Sequence, residues 1–229
     1  MTTSPTRIID PEFKIALENI LDNQSVKPDF MVLNLPKIFK RTGEVAIIPD
    51  FVSRNNRIRV NLVDDIGPIT KILPTIDLVD NDNDVIISFD DDVLYNKDCI
   101  KNLVEASIAN PTYIISFHTG TKFIEGFLSV LYKRMHFVDF DKSVITLDDN
   151  CFRSDDYLIA NHIFKKRFTV MKLQRLDSNS MDFGFKSDAL HKQAEGHLEN
   201  YKKCAQVLED NNKLYIRNND GELVHDFFY

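Results

Sequence analysis

The chain has 229 residues, of which 43% are hydrophobic, and carries a formal net charge of -7. This length fits one large domain or two small ones, and the apolar content is enough for a buried core. The negative charge argues against a general binder of nucleic acid or of anionic membranes, since both need a basic surface.

The hydropathy and cysteine patterns predict a soluble, cytoplasmic protein. No stretch approaches the roughly 20 apolar residues that span a bilayer, and residues 1–7 lack the apolar core of a secretion signal. The cysteines are odd in number, widely spaced and without a CxxC pair, which predicts reduced thiols in a cytosol-like compartment. They are Cys99, Cys151 and Cys204.

The first half of the chain alternates predicted helices and strands. Asp10-Pro11-Glu12 opens a helix, because it supplies a capping carboxylate, a proline at the first helical position and an acid in the first turn. The apolar residues that follow at helical spacing predict one buried stripe: Phe13, Ala16, Leu17, Ile20 and Leu21. The next predicted elements are strands at 30–35 and 58–63, a short helical stretch broken at Pro74, a strand beginning at Val85, a helix at 97–109 with Ile100, Leu103, Val104 and Ile108 on one side, and a strand at 113–117.

The second half of the chain has a less regular pattern. Residues 123–135 are ambiguous, 155–166 look helical, 168–173 look like a strand, and 187–209 predict a terminal helix. Alternating strands and helices with short connections predict an α/β fold with a mixed, mainly parallel sheet flanked by helices. We find no repeat and no convincing linker, so residues 1–229 are predicted to form a single domain.

The most informative segment is the one in which a short apolar strand ends in Asp90, Asp91 and Asp92. Three like charges on neighbouring residues repel one another, and Asp is a poor residue inside strands and helices. The carboxyl end of a buried strand is also where ligands bind in open α/β sheets. The triplet therefore predicts an external cation, and its hard oxygen ligands favour Mg²⁺ or Mn²⁺ carrying a diphosphate.

Two alternatives to this metal site stay open. Residues 80–84 partly mimic a calcium loop, but Val85 stands where the sharp turn needs glycine and Asp91 where a bidentate Glu is needed. A solvated turn before a strand explains the same residues. The Asp triplet also suits a helix N-cap with two exposed acids, although one Asp would be enough for a cap.

Asp90 and Asp92 resemble the DxD motif of glycosyltransferases of the GT-A fold. Further segments resemble family 2-like members in the same order, over about residues 1 to 170. They are residues 2–8 for the first strand and nucleotide-binding loop, 24–36 for the following helix end and second strand, 65–71 for a donor-site segment, and 154–158 for the downstream acidic motif. The chain departs from the pattern in having Asp-Asp instead of Glu-Asp and in lacking the aromatic QxxRW motif.

The resemblance implies a GT-A (Rossmann-like) fold with a nucleotide-sugar donor half at 1–118 and an acceptor-side half at 119–229. It implies a metal-dependent enzyme that moves a sugar from a nucleotide-sugar donor, of the UDP-sugar class, to a glycan or other hydroxyl acceptor. The expected outcome at the anomeric carbon is inversion. The expected cofactor is Mn²⁺ or Mg²⁺.

The candidate site residues fall into three groups. The metal ligands are Asp90, Asp92 and, from the C-terminal helix, His191. The donor-binding residues are Thr3, Pro5, Arg7, Asp65, Lys71, Asp90 and Asp91, with Arg7 and Lys71 as cations for phosphate. Asp156 is the first choice for the base that deprotonates the acceptor and Asp155 the second, while a capping box led by Ser154 is their structural alternative.

Two other functions stay open at this point. A nucleotidyltransferase also pairs acids with Mg²⁺, but it would favour a glycine-rich basic loop after the first strand, and residues 2–8 contain no glycine. A catalytically silent sugar-nucleotide or glycan-binding module would keep the donor site without turnover.

Overall fold

The computed structural model describes residues 1–117, 129–180 and 196–216. The helices in these ranges are α1 (Pro11–Leu21), α2 (Asp50–Ser53), α3 (Leu73–Ile76), α4 (Cys99–Ala109), α5 (Asp149–Phe152), α6 (Asp155–Lys166) and α7 (Gly196–Asp210). The strands are β1 (Met31–Pro36), β2 (Ile58–Val63), β3 (Val85–Ser88), β4 (Val93–Leu94), β5 (Ile114–Ser116), β6 (Val130–Lys133), β7 (Val170–Lys172) and β8 (Asn179–Ser180). Short 3₁₀ helices lie at Pro68–Lys71, Arg134–His136 and Lys142–Thr146. No helix within the described ranges has the length and apolar character needed to cross a membrane.

Helix boundaries with clear local signals agree with the sequence prediction. In α1, the Asp10 side chain accepts a hydrogen bond of 2.8 Å from the Glu12 N–H, and the predicted apolar stripe is buried. The bounds of α6 are those predicted. The prediction for Ile108 in α4 is wrong, because Ile108 is 73% exposed. The buried side of α4 passes through Ser107 instead, one turn after Leu103.

The strands form a mixed sheet arrangement, which confirms the predicted α/β class. Strands β1 and β2 are parallel, and Thr2 forms a parallel bridge with Asn34 that places the N-terminal segment beside β1. A second sheet has the order β3-β6-β5-β7, in which β6 is antiparallel to both neighbours and β5 is parallel to β7. Strands β4 and β8 form an antiparallel pair. The share of antiparallel strand pairs is larger than the alternation of strands and helices in the sequence predicts, because β6 lies between β3 and β5 and is antiparallel to both.

The central sheet has an apolar core on each face. Successive residues of β5 and β6 enter opposite cores: Ile114 and Tyr132 lie in one, and Ile115 and Leu131 in the other. This alternation follows from the two-residue period of a strand. Helices α1 and α4 cover the core that contains Leu131, and α6 and α7 cover the other. Burial on both faces explains why β6 is wholly apolar apart from its last residue, Lys133.

The prediction of three reduced thiols is wrong for two of them. Cys151 and Cys204 form a disulfide that joins α5 to α7, while Cys99 is a buried free cysteine. The pairing spans 53 residues of sequence, and the spacing alone does not indicate it. Because disulfides persist in oxidising compartments, the cysteines no longer support a cytoplasmic location.

Reduction of this disulfide is expected to lower the free energy of unfolding by about 2–4 kcal/mol, because the cross-link limits the entropy of the unfolded chain. Urea unfolding with and without a dithiol reductant measures the effect. The double variant Cys151→Ser/Cys204→Ser is the control, since its midpoint is expected not to respond to the reductant. A wild-type midpoint that is unchanged by the reductant would contradict the expectation.

Candidate active site

The Asp triplet lies in the connection that follows β3. The Tyr95 hydroxyl accepts a hydrogen bond of 2.8 Å from the Asp90 N–H. The backbone of Tyr95 is bound on both sides by Asn19 of α1, whose side chain accepts from its N–H at 2.8 Å and donates to its carbonyl at 3.1 Å. Helix α1 therefore fixes the conformation of the connection. Nothing in the sequence spacing of Asn19 and Tyr95 indicates this contact.

The N-terminal segment binds the middle carboxylate of the triplet. Thr3 Oγ1 donates to Asp91 Oδ2 at 2.6 Å, and Arg7 Nη1 donates to Asp91 Oδ1 at 2.6 Å. Arg7 Nη1 also lies 3.4 Å from Asp92 Oδ2. Pro5 lies in the turn between Thr3 and Arg7. Asp91 is thus a buried anchor between the first segment of the chain and the triplet.

Lys71 joins the two acidic motifs. Its Nζ atom lies 3.3 Å from Asp90 Oδ1 and 3.1 Å from Asp155 Oδ2, and its side chain is 11% exposed. Burial lowers the pKa of Lys71, but the carboxylates of Asp155, Asp90 and Asp156 outweigh this and hold the pKa well above its ordinary value. Lys71 is therefore a buried ammonium that contacts two acids, Asp90 and Asp155, which are 65 residues apart in sequence.

The first turn of α6 carries the second acidic motif. Asp155 is buried and Asp156 is half-buried. The Tyr201 hydroxyl of α7 donates to Asp156 Oδ2 at 3.5 Å, a long contact. The capping-box alternative is wrong, because Ser154 Oγ donates to the Asn150 carbonyl at 2.6 Å and makes no capping bond with α6.

Asp65 lies at a distinct place from the Asp triplet. Its two carboxylate oxygens accept hydrogen bonds from the Lys40 N–H at 2.8 Å and from the Gly67 N–H at 2.9 Å. Gly67 has a φ of +81°, and a Cβ atom there would lie 2.0 Å from the Phe152 carbonyl oxygen. Asp65 thus holds the segment that carries Lys71, while its donor-binding role stays a prediction.

Residues 80–84 form an exposed turn, and the Asp triplet does not cap a helix. Residues 80–84 are exposed, and the Asn83 N–H donates to Asn81 Oδ1 at 2.9 Å, as in a solvated turn. Helix α4 has Asp98 at its N-cap position, so the triplet is not the cap of the following helix. His191, the third predicted metal ligand, lies outside the described residues.

The described cluster has a surplus of negative charge. Five carboxylates, those of Asp90, Asp91, Asp92, Asp155 and Asp156, stand against the two cations Arg7 and Lys71. Burial and then Asp91 and Asp90 raise the pKa of Asp92, and burial raises the pKa of Asp91 despite Arg7. A cation is therefore electrostatically favourable here.

The donor set suits a hard divalent ion, because the described candidate ligands, Asp90 and Asp92, offer carboxylate oxygens. The Asp92 side chain is 39% exposed and that of Asp90 is 26% exposed, so both are open to a ligand. Across the described ranges, however, no three acidic, histidine or cysteine side chains are already grouped around one metal position.

Two solved structures have a fold similar to that of this chain. Mannosyltransferase PcManGT from Pyrobaculum calidifontis, in complex with GDP-Man and Mn²⁺, is similar to this chain with a TM-score of 0.56 and 13% identity, covering 90% of this chain and 62% of that chain. S. aureus TarS 1-349 is similar with a TM-score of 0.52 and 10% identity, covering 93% of this chain and 66% of that chain. No family model matches the chain, and no curated protein matches it.

These comparisons confirm the GT-A fold that the sequence resemblance implies. At such low identity, the likeness shows the fold alone. This chain also spans less than two thirds of the length of either structure. The likeness therefore does not show an activity, a donor or an acceptor for this chain.

Proposed function

We propose that this chain is a metal-dependent glycosyltransferase that moves a sugar from a nucleotide-sugar donor to a hydroxyl acceptor. The observation that carries the proposal is the convergence of two acidic motifs, at 90–92 and 155–156, on the single ammonium of Lys71. The fold is shared with two solved structures, one of which is a mannosyltransferase in complex with GDP-Man and Mn²⁺. A single domain with a donor half at 1–118 and an acceptor-side half at 119–229 is part of the proposal.

Asp92, together with Asp90 and with His191 from the C-terminal region, is proposed to hold Mn²⁺ or Mg²⁺. When bound, the ion would act as a Lewis acid that stabilises the charge on the departing diphosphate. Asp91 is given a different role, because Thr3 and Arg7 occupy both of its oxygens. It fixes the backbone from which Asp90 and Asp92 extend.

The donor is proposed to lie between the N-terminal segment and Lys71. Arg7 and Lys71 supply positive charge for its phosphates, and both are held near the triplet by ion pairs. Thr3, Pro5 and Asp65 complete the proposed donor-binding set. A UDP-sugar is the proposed donor class on the basis of the DxD resemblance.

Asp156 is proposed as the base that accepts the proton of the attacking hydroxyl. Asp155 suits this role less well, because it is buried and its charge is paired with Lys71 at 3.1 Å. Asp156 is half-buried at the start of the same helix. Since one carboxylate then activates the acceptor and no side chain attacks the sugar, the proposed outcome is inversion.

The metal assignment predicts how UDP binds. Calorimetric titration of UDP is expected to show affinity that falls at least about tenfold when Mn²⁺ is omitted or when Asp92 is replaced by Ala. A parallel titration of GDP tests whether the site prefers a uracil or a guanine nucleotide. Asp64→Ala is the matched control, since the Asp64 side chain is 86% exposed and pairs with Lys37.

Equal UDP affinity with and without Mn²⁺, and for Asp92→Ala, would overturn the metal assignment. Product analysis separates the remaining activities. Sugar transfer releases a nucleoside diphosphate, whereas nucleotidyl transfer from a nucleoside triphosphate releases pyrophosphate. Tight UDP binding without release of either product would identify a binding module.

A further inference from the structure

A cleft of about 340 Å³ opens between the loop after β1 and the short helix α5. It shares no lining residue with the carboxylate cluster. Its lining includes the basic residues Lys40, Arg41 and Arg153, the aromatic residue Phe152 and the acidic residue Asp149. This volume lies at the small end of the range for small-molecule sites, which is about 300–1,000 Å³, and it suits one or two sugar rings.

The two walls of the cleft are held together by close contacts. The Lys40 N–H binds Asp65, and Asp65 also binds the Gly67 N–H. Gly67 packs directly on the backbone of Phe152, where a Cβ atom would meet the carbonyl oxygen. The Lys40 ammonium lies 4.8 Å from the centre of the Phe152 ring. The cleft is therefore a built feature of the fold, and its wall continues into the segment that carries Lys71.

The charges of the cleft favour an anionic ligand. Three basic side chains line it against two acidic ones, Asp148 and Asp149. The Asp148 carboxylate accepts hydrogen bonds from the Cys151 N–H at 2.7 Å and from Asn150 Nδ2 at 2.6 Å, and Arg41 and Arg153 also have interaction partners. The chain as a whole carries a net charge of -7, which disfavours a long polyanion beyond the cleft. A compact ligand with one carboxylate or phosphate group fits this distribution of charge.

The position of the cleft connects it to the acceptor. Arg153 lies two residues before Asp155 and three before Asp156, the proposed base. We propose that the cleft is an acceptor subsite that binds an acidic sugar residue, with the basic side chains on the anionic group and the ring against Phe152. This inference rests on the proposed function, because it assumes transfer to a hydroxyl acceptor.

Direct binding to the full chain tests the subsite without turnover. The probes are a disaccharide that contains glucuronic acid, the neutral disaccharide with glucose in its place, and glucose 6-phosphate. One of the two acidic probes is expected to bind at least about tenfold more tightly than the neutral one, as for a charge-assisted contact. The tighter acidic probe then identifies the anionic group as carboxylate or phosphate.

Variants locate the binding. Lys40→Gln and Arg153→Gln are each expected to weaken the acidic probe about tenfold. Lys37→Gln, in the same loop, is the control that should leave binding unchanged, since Lys37 is 61% exposed and pairs with Asp64. Titration of UDP with Mn²⁺ is run on every variant, and its affinity is expected to match wild type.

Equal binding of acidic and neutral probes, or binding of neither, would overturn the acidic subsite. So would wild-type affinity in both Lys40→Gln and Arg153→Gln, or an equal loss in Lys37→Gln. If UDP with Mn²⁺ binds while the acidic probes do not, the subsite fails and the donor site stands. If neither UDP nor GDP binds in the presence of Mn²⁺, the proposed function fails.

Discussion

Asn in place of Asp156 is expected to lower the rate of sugar transfer by about 10²–10⁴-fold while leaving UDP affinity unchanged. The substitution keeps the shape of the side chain but removes the carboxylate that would take the acceptor proton, and general base catalysis contributes about this much. Asp156 is half-buried and its neighbour Asp155 keeps the ion pair with Lys71. Steady-state rates of nucleoside diphosphate release, with UDP titration on the same variant, measure both effects.

Asp155→Asn is the matched comparison on the same helical turn. Removal of its charge breaks the 3.1 Å contact with Lys71, so we expect a loss of stability and a smaller loss of rate. A variant Asp156→Asn with wild-type turnover would contradict the assignment. If Asp155→Asn were then the inactive variant, the base would be Asp155, and the ion pair with Lys71 would have to open during turnover.

Local signals in the sequence specify individual elements well. The capping acid, proline and apolar spacing of α1 lie within a dozen residues, and the prediction of its buried face is confirmed residue by residue. The signals for the strand that ends at Ser88, just before the Asp triplet, and for the helix that begins at Asp155 are equally local. Pairing between distant elements is not specified by local signals. The insertion of β6 between β3 and β5, and the Cys151–Cys204 disulfide, depend on where other segments lie, which no window of sequence contains.

The same division applies to the candidate site. The two acidic motifs and the cations Arg7 and Lys71 stand out in the sequence as separate charged features. The contacts between them do not stand out: Arg7 donates to Asp91, and nothing in the sequence spacing of these two residues indicates this. The sequence also does not indicate the hydrogen bonds of Tyr95 and Asn19, since an ordinary polar residue in a helix or just after a short strand carries no positional signal.

Replacement of Lys71 by Met is expected to lower the free energy of unfolding by about 3–5 kcal/mol, the cost of leaving buried charge without its partner. Met keeps much of the length of the side chain but removes the ammonium that lies 3.3 Å from Asp90 and 3.1 Å from Asp155. For a domain of this size, the melting temperature should fall by about 10 °C. Urea and thermal unfolding without added metal measure the change.

Lys37→Met is a control that separates burial from distance. Lys37 Nζ and Asp64 Oδ1 are also 3.3 Å apart, but their side chains are 61% and 86% exposed, against 11% for Lys71. Solvent screens such a pair, so its loss should change stability by less than about 1 kcal/mol. Equal losses in the two variants would mean that burial does not strengthen the Lys71 contacts.

The double variant Lys71→Met/Asp155→Asn tests whether the acids need the ammonium. Once Asp155 is neutral, one of the two stranded charges is gone, so the double variant should be more stable than the sum of the two single losses predicts. A coupling of about 1–3 kcal/mol is typical for residues in one buried network. Strict additivity would show that Lys71 does not join the two acidic motifs energetically. The two acidic motifs would then be close to each other in space without being stabilised by a shared interaction with Lys71.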